Sequence, residues 1–155
     1  MNIEYRGDDF LYLVEIENKE HRIFNQTDGS RSIEADDIEL DTKDKSGADY
    51  GSVTETISIE GVLTEDDPAI PFLENAIRNK KMVKVTRLNT RDLSTETGNY
   101  KINNFETTSS NGEFANYSID ATLNGSIKEG ELTEVPDGAP DEKEDVEDGD
   151  GGVEG

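Results

Sequence analysis

The chain has 155 residues, 37 Asp and Glu against 15 Lys and Arg, one His, no Cys and no Trp, for a formal net charge of −22. That charge leaves no basic footprint to neutralise phosphates, which excludes groove reading and ordinary single-strand binding. Without Cys there is no disulfide framework, thiolate metal site or Cys nucleophile, and His21 alone cannot build a histidine zinc site.

The opening stretch, Met1 to Gly7, lacks the basic-then-apolar layout of a signal peptide, and no stretch approaches the roughly 18 apolar residues of a membrane span. A soluble protein kept inside a cell is expected. Phe10 to Ile16 is short, apolar and rich in strand formers, and Asn18 to His21 turns it toward Arg22–Asn25, a hairpin with His21 exposed in its turn. Thr27 to Ser30 supplies turn residues before a polar strand from Arg31 to Glu34.

Residues 36–51 hold Asp36, Asp37, Asp41, Lys43, Asp44, Lys45 and two glycines with almost nothing to bury, which reads as a long polar loop of the functional or disordered kind. From Val53 the pattern alternates strictly. Val53, Ile57, Ile59 and Leu63 share one parity and Thr54, Thr56, Ser58 and Glu60 the other, as in a strand with one wet face. A helix over about 67–79 follows: Asp67 can cap it, Pro68 suits its first position, and Ile70, Leu73 and Ile77 fall on one face.

Three more strands are expected at Met82–Leu88, at Tyr100–Glu106 with an irregularity at Asn103-Asn104, and at Phe114–Asn124. In the last, Ala115, Tyr117, Ile119, Ala121 and Leu123 oppose Asn116, Ser118, Asp120, Thr122 and Asn124. Turn signals separate the strands at Asp92–Asn99 and Ser109–Gly112. The fold class is therefore mainly β (α+β), an antiparallel sandwich or small barrel with one flanking helix. From Pro136 onward nine acids face one lysine, Lys143. Such a stretch cannot bury enough apolar surface to offset its ordering entropy. Two regions result, a β-domain over 1–132 and a flexible acidic tail over 133–155.

No constellation carries catalysis. Carboxylate pairs arise by chance in so acidic a chain, and five Phe without Trp cannot line a glycosidase cleft. Neither 36–47 nor 141–152 has the spacing of an EF-hand, and Asp148 to Gly152 lacks the strand, helix and lysine of a phosphate loop. Neither a metal nor a cofactor is expected. Leu, Ile, Val and Phe make up only 34 of 155 residues, just above the composition of disordered chains, so a small core would gain from neighbouring copies. Small core, Thr/Ser/Asn-rich strand faces and a long polar loop together suit a self-assembling shell component.

The order of segments carries a further signal. It runs from Gly7-Asp8-Asp9-Phe10-Leu11-Tyr12-Leu13-Val14-Glu15 through Asn25-Gln26-Thr27-Asp28-Gly29-Ser30 to Ala35-Asp36-Asp37-Ile38 and Asp41-Thr42-Lys43-Asp44. Gly61-Val62-Leu63-Thr64-Glu65-Asp66-Asp67-Pro68-Ala69, Leu73-Glu74-Asn75-Ala76 and Asn79-Lys80-Lys81-Met82-Val83-Lys84-Val85 continue it. Over about 7–127 this set resembles the major tail protein, or tail tube, family of long non-contractile-tailed bacteriophages. It departs from the family pattern where related proteins carry Trp, and the acidic tail lies outside it.

The resemblance implies a virion protein, assembled in the host cytoplasm, whose subunits close six to a ring. Rings stack into a hollow tube around a tape measure protein, end at tail terminator and tail-tip proteins, and let DNA pass without binding it specifically. Under it, the 36–51 loop, with Asp36, Asp37, Asp41, Lys43, Asp44, Lys45 and Tyr50, becomes an assembly element that orders against the adjacent ring. The polar parities, Thr54, Thr56, Ser58 and Glu60 with Asn116, Ser118, Asp120 and Thr122, become candidates for the lumen wall, where carboxylates and hydroxyls repel DNA phosphates. The alternative from another class is an acidic DNA mimic that occupies the phosphate site of a nucleic-acid-binding protein. A tube ring of a secreted-effector system is the nearer variant.

Overall fold

The structure is a computed structural model and describes residues 4–42, 44 and 46–138. After a single 3-10 turn at Gly7–Asp9 come β1 (Phe10–Ile16), β2 (Lys19–Arg22), β3 (Gln26–Asp41) and β4 (Ser46–Val62). Helix α1 (Ala69–Arg78), β5 (Val83–Asn89), β6 (Ser94–Thr108), β7 (Asn116–Leu123) and β8 (Lys128–Glu131) complete the order. All strand pairs are antiparallel, in the order β2-β1-β5-β6-β7-β4-β3, with β8 on β6.

One long strand lets the sheet fold over a core. The first half of β6 pairs with β5 and its second half with β7, and the register shifts between Ile102 and Asn104, where the sequence predicts an irregularity. Such a bulge bends the strand and sharpens its twist. Tyr12, Val14, Ile57, Ile59, Val83, Val85, Tyr100, Ile102, Tyr117, Ile119 and Ala121 meet inside the curl. Helix α1 adds Ala69, Leu73 and Ala76 to the same core, with Ile70 and Ile77 half-buried beside them. The helix begins at Ala69, two residues later than expected, with Pro68 at the cap position rather than the first helical one; Asp67 just before it still accepts the Ala69 N–H through Oδ1 at 3.0 Å, satisfying a donor that the helix itself leaves open.

Several expectations need correction. The first hairpin turns at Glu17 and Asn18, whose φ values of 52° and 66° give the tight turn that matches strand twist. His21 is therefore not in an exposed turn; it lies half-buried in β2, opposite Val14. Residues 36–51 are not an irregular loop. Asp37 pairs with Tyr50, Ile38 with Asp49, Glu39 with Ala48, Leu40 with Gly47 and Asp41 with Ser46, so β3 and β4 continue outward as a two-stranded arm. Backbone pairing needs no apolar side chains, and charges on an arm wet on both sides stay solvated, so composition alone misjudges this stretch.

Strand β6 begins at Ser94, inside the expected Asp92–Asn99 turn, because alternating Ser94-Thr95-Glu96-Thr97 pairs with β5 on one side and β8 on the other. Gly98 fits this strand since a Cβ there would meet Leu123 Cδ1 at 2.5 Å. Strand β8, Lys-Glu-Gly-Glu, has no apolar residue to announce it. Beyond it, Leu132 N–H donates to Leu93 O at 2.9 Å, and residues 134–138 lie beside β2, with Gly138 against the Arg22 guanidinium. The stretch thus crosses β5 and β1 on their outer face, where Leu13, Leu88 and Thr86 are fully buried. The packed domain extends past 132 to Gly138; the rest of the acidic tail, 139–155, lies outside the described residues.

Candidate assembly surfaces

The alternation of β4 and β7 puts all eight lumen candidates on one face. Register sets Thr56 opposite Thr122, Ser58 opposite Asp120 and Glu60 opposite Ser118, with Thr54 and Asn116 extending the two rows. Ser58 Oγ donates to Asp120 Oδ1 at 2.8 Å, and Asn103 Nδ2 donates to Thr122 Oγ1. The face widens through β3 by Asp28, Ser30, Ser32 and Glu34 and through β6 by Asn104, Glu106 and Thr108. These β3 and β6 residues extend the signal beyond the two rows chosen from sequence. The result is a four-stranded wall bearing Asp28, Glu34, Glu60, Glu106 and Asp120 against Lys101 alone at its margin.

Of the arm residues expected to drive assembly, Asp36, Asp37, Asp41, Asp44 and Tyr50 are exposed, while Lys43 and Lys45 lie outside the described residues. The structure adds apolar neighbours that the charge pattern hides. Ile33, Ile38, Tyr50 and Val53 are 58%, 60%, 76% and 63% exposed. Val53 keeps its inward parity, facing Ala35 across the ladder, yet the arm has left the core behind at that point. An irregularity in register between Ala35 and Asp37 bends the arm, and Gly51 suits it because a Cβ there would come within 3.0 Å of Asp36 O.

At the opposite end of β3, polar groups close the seam between the two sheet edges. Gln26 acts as a surrogate peptide: its Oε1 accepts the Tyr12 N–H at 3.0 Å, and its Nε2 donates to Tyr12 O at 2.8 Å and to Ile23 O at 2.9 Å. Asp67 Oδ2 accepts the Phe24 N–H at 3.0 Å, and Tyr117 Oη donates to Phe24 O at 3.1 Å. Burial raises the Asp67 carboxyl above its ordinary range against the pull of these N–H groups and of His21. Burial likewise raises Tyr117, and burial with the nearby Glu55 charge pushes Tyr100 up to about 12. Arg31 reaches from β3 to Glu96 in β6, and Arg87 approaches the same Oε1 at 3.6 Å.

These perturbed groups brace the fold: each partner is a backbone group, a core neighbour or a structural ion pair. No group of three or more Asp, Glu, His or Cys among the described residues could hold a metal ion. No helix among them is long and apolar enough to cross a membrane.

Residues 4–129 match the sequence profile of a family described as phage tail tube protein. No curated protein sequence matches the chain. Among solved structures it is similar to the tail of an empty gene transfer agent particle, refined helically with C6 symmetry, at a TM-score of 0.71 and 14% identity over 81% of this chain and 98% of that one. It is similar to the SPP1 tail tube at 0.71 and 18% identity over 83% and 80%. A chain of the sheath–tube complex of an extracellular contractile injection system matches at 0.60 and 16% identity over 79% and 88%. With a family profile spanning most of the described domain and a fold shared with these tubes, the chain belongs to the phage tail tube protein family and is a structural subunit of a phage tail.

Proposed function

We propose that six copies of this chain close into a ring through the open edges of its four-stranded polar wall, and that rings stack into the hollow tube of a long non-contractile tail. The observation that carries this reading is the wall itself. Strand β3 pairs only with β4, and β6 beyond Ile102 pairs only with β7, so both edges of the wall lack a partner among the described residues. The two edge strands run in opposite directions, so β3 of one copy meets β6 of the next as an antiparallel pair. Closure removes both edges, which isolated sheets leave open to aggregation. Six walls of four strands, about 4.8 Å apart and tilted about 40°, give a backbone diameter of about 48 Å. Side chains reduce the bore to about 38 Å, wider than the roughly 20 Å of a DNA duplex.

With the polar face inward, the carboxylates of Asp28, Glu60, Glu106 and Asp120 repel phosphate, and the hydroxyls between them offer no cationic hold. The subunit then works by assembly rather than catalysis. Within this reading a tape measure protein fills the bore before DNA does, and terminator and tail-tip proteins close the ends. The hairpin arm contacts the adjacent ring. Concentrated purified protein examined by sedimentation and negative-stain electron microscopy tests the whole: rings or uniform hollow tubes are expected, and a persistent monomer at every concentration refutes it. Deleting Thr42–Ala48 should leave a folded monomer without tubes; tubes of normal length from that deletion refute the assignment of the arm.

A further inference from the structure

Two asparagines of the chain precede a glycine, Asn111 in the connection between β6 and β7 and Asn124 where β7 passes toward β8. Glycine leaves its own nitrogen free to swing back onto the asparagine side chain, since it carries no Cβ and tolerates positive φ, here 83° at Gly112 and 105° at Gly125. The fold treats the two sites differently. Ser110 to Glu113 form a turn closed by one backbone hydrogen bond, from Glu113 N–H to Ser110 O at 3.1 Å, with Gly112 at the position where a type II turn requires positive φ. Asn111 and Gly112 are exposed, and a Cβ at Gly112 would meet nothing within 4 Å. Among the described residues neither the Asn111 amide nor the Gly112 N–H has a hydrogen-bond partner. Asn124 is instead tied to β6 on both sides. Its N–H donates to Asn99 O at 2.8 Å, Lys128 pairs with Thr97, and the half-buried Ile127 between them packs over Gly98.

We propose that Asn111 is a site of spontaneous covalent modification, its side chain closing to a cyclic imide that opens to isoaspartate or aspartate. The Gly112 nitrogen attacks Asn111 Cγ and gives up its proton, the Cγ–Nδ2 bond breaks, and the amide nitrogen leaves with that proton as ammonia. Water then opens the five-membered ring. Attack at Cγ restores the main chain and leaves aspartate, whereas attack at the main-chain carbonyl carbon leaves isoaspartate, with the chain running through Cβ and Cγ. Each event adds one negative charge to a chain whose net charge is −22. The new carboxylate lies beyond Thr108 and Asn116, the last paired residues of β6 and β7, so neither its charge nor the longer main chain of isoaspartate touches the ladder. At Asn124 the same closure must first lift the chain from β6, and opening a paired segment costs more than opening an exposed turn. The chemistry needs only the folded monomer and is independent of ring assembly.

The full-length protein, held at mildly alkaline pH in native buffer and in urea, provides the test by peptide mass spectrometry with isoaspartyl methyltransferase labelling. In the folded protein the peptide bearing Asn111 should gain the mass of an amide-to-acid conversion, and accept methyl groups, at least about tenfold faster than the peptide bearing Asn124, a ratio equal to about 1.4 kcal/mol in barrier. In urea the two rates should converge, because each asparagine then precedes a glycine in an unconstrained chain. Asn111→Gln, whose side chain is one carbon too long for the five-membered ring, should abolish the fast acidic species seen by isoelectric focusing while circular dichroism and melting temperature stay unchanged. Equal rates in the folded protein, faster conversion at Asn124, or an Asn111 that converts only in urea each overturn the proposal. So does a fast acidic species that survives Asn111→Gln. A tenfold preference for Asn111 that persists in urea would trace the selectivity to adjacent residues and overturn the role given to the fold.

Discussion

Replacing Gly61 by Ala would drive a methyl group into the seam of the domain. A Cβ built there meets the Tyr117 hydroxyl, lies 2.6 Å from Tyr117 Cζ and 2.5 Å from Asn25 O. Neither neighbour can retreat freely. Asn25 O accepts the Val62 N–H at 3.0 Å, and Tyr117, 2% exposed in the core, donates its hydroxyl to Phe24 O. Overpacking of this kind costs about 1–3 kcal/mol, and loss of the tyrosine hydrogen bond adds about 1 kcal/mol. We expect a destabilisation of about 2–4 kcal/mol, which for a domain of this size lowers the melting temperature by roughly 10 °C. Urea denaturation of the monomer measures it, with Gly47→Ala as control, since a Cβ at Gly47 meets nothing within 4 Å. In Tyr117→Phe the clashing oxygen is gone, so the double variant should be more stable than the sum of the two single losses by about 1 kcal/mol. A Gly61→Ala protein within about 0.5 kcal/mol of the unaltered chain would refute the reasoning.

Asp67→Asn leaves one of two backbone donors facing an amide NH2, and should cost about 1–3 kcal/mol at neutral pH by denaturant titration. Because burial raises the Asp67 pKa in the folded state, its contribution is full below the ordinary Asp value and declines as pH rises through the folded value. The stability advantage of the unaltered protein over the Asp67→Asn variant, followed from about pH 4 upward, should therefore shrink across that window and then level; a difference that grows with pH contradicts the assignment. A chain ending at Glu131 should be less stable than one ending at Gly138 by about 2–4 kcal/mol, since Leu13 and Leu88 lose their cover; equal melting curves would disprove the strap. Glu60→Lys/Asp120→Lys should still form tubes, but tubes that retain duplex DNA at low salt and release it as salt rises; tubes indifferent to DNA would place that face outside the bore.

In β4 and β7 the apolar residues recur at every second position, so Ile57, Ile59, Tyr117, Ile119 and Ala121 are inward whatever the strands pair with, and the polar parity is wet by necessity. A linear sequence suffices there. Ile70, Leu73 and Ile77 at helical spacing, with Asp67 and Pro68 before them and a basic end, likewise identify their helix locally, although Leu73 is the one of the three that the structure buries fully. The arm is different. Its residues offer no periodic apolar signal, and only the partner strand supplies the hydrogen bonds that make Asp37–Asp41 extended.

The strap over Leu13 and Leu88 rests on a few scattered apolar residues, Leu132, Val135 and Pro136, whose destination no local pattern reveals. What the amino-acid sequence determined by itself was the set of locally encoded elements, their buried faces and a strong net negative charge. Only the tertiary structure decided which faces join. Register across four strands merges two polar rows into one wall, and the curl of β6 brings Arg22, Arg31 and Arg87 from β2, β3 and β5 to one cleft. Local periodicity is set by neighbours a few residues away, whereas these surfaces are set by contacts between residues far apart in the chain.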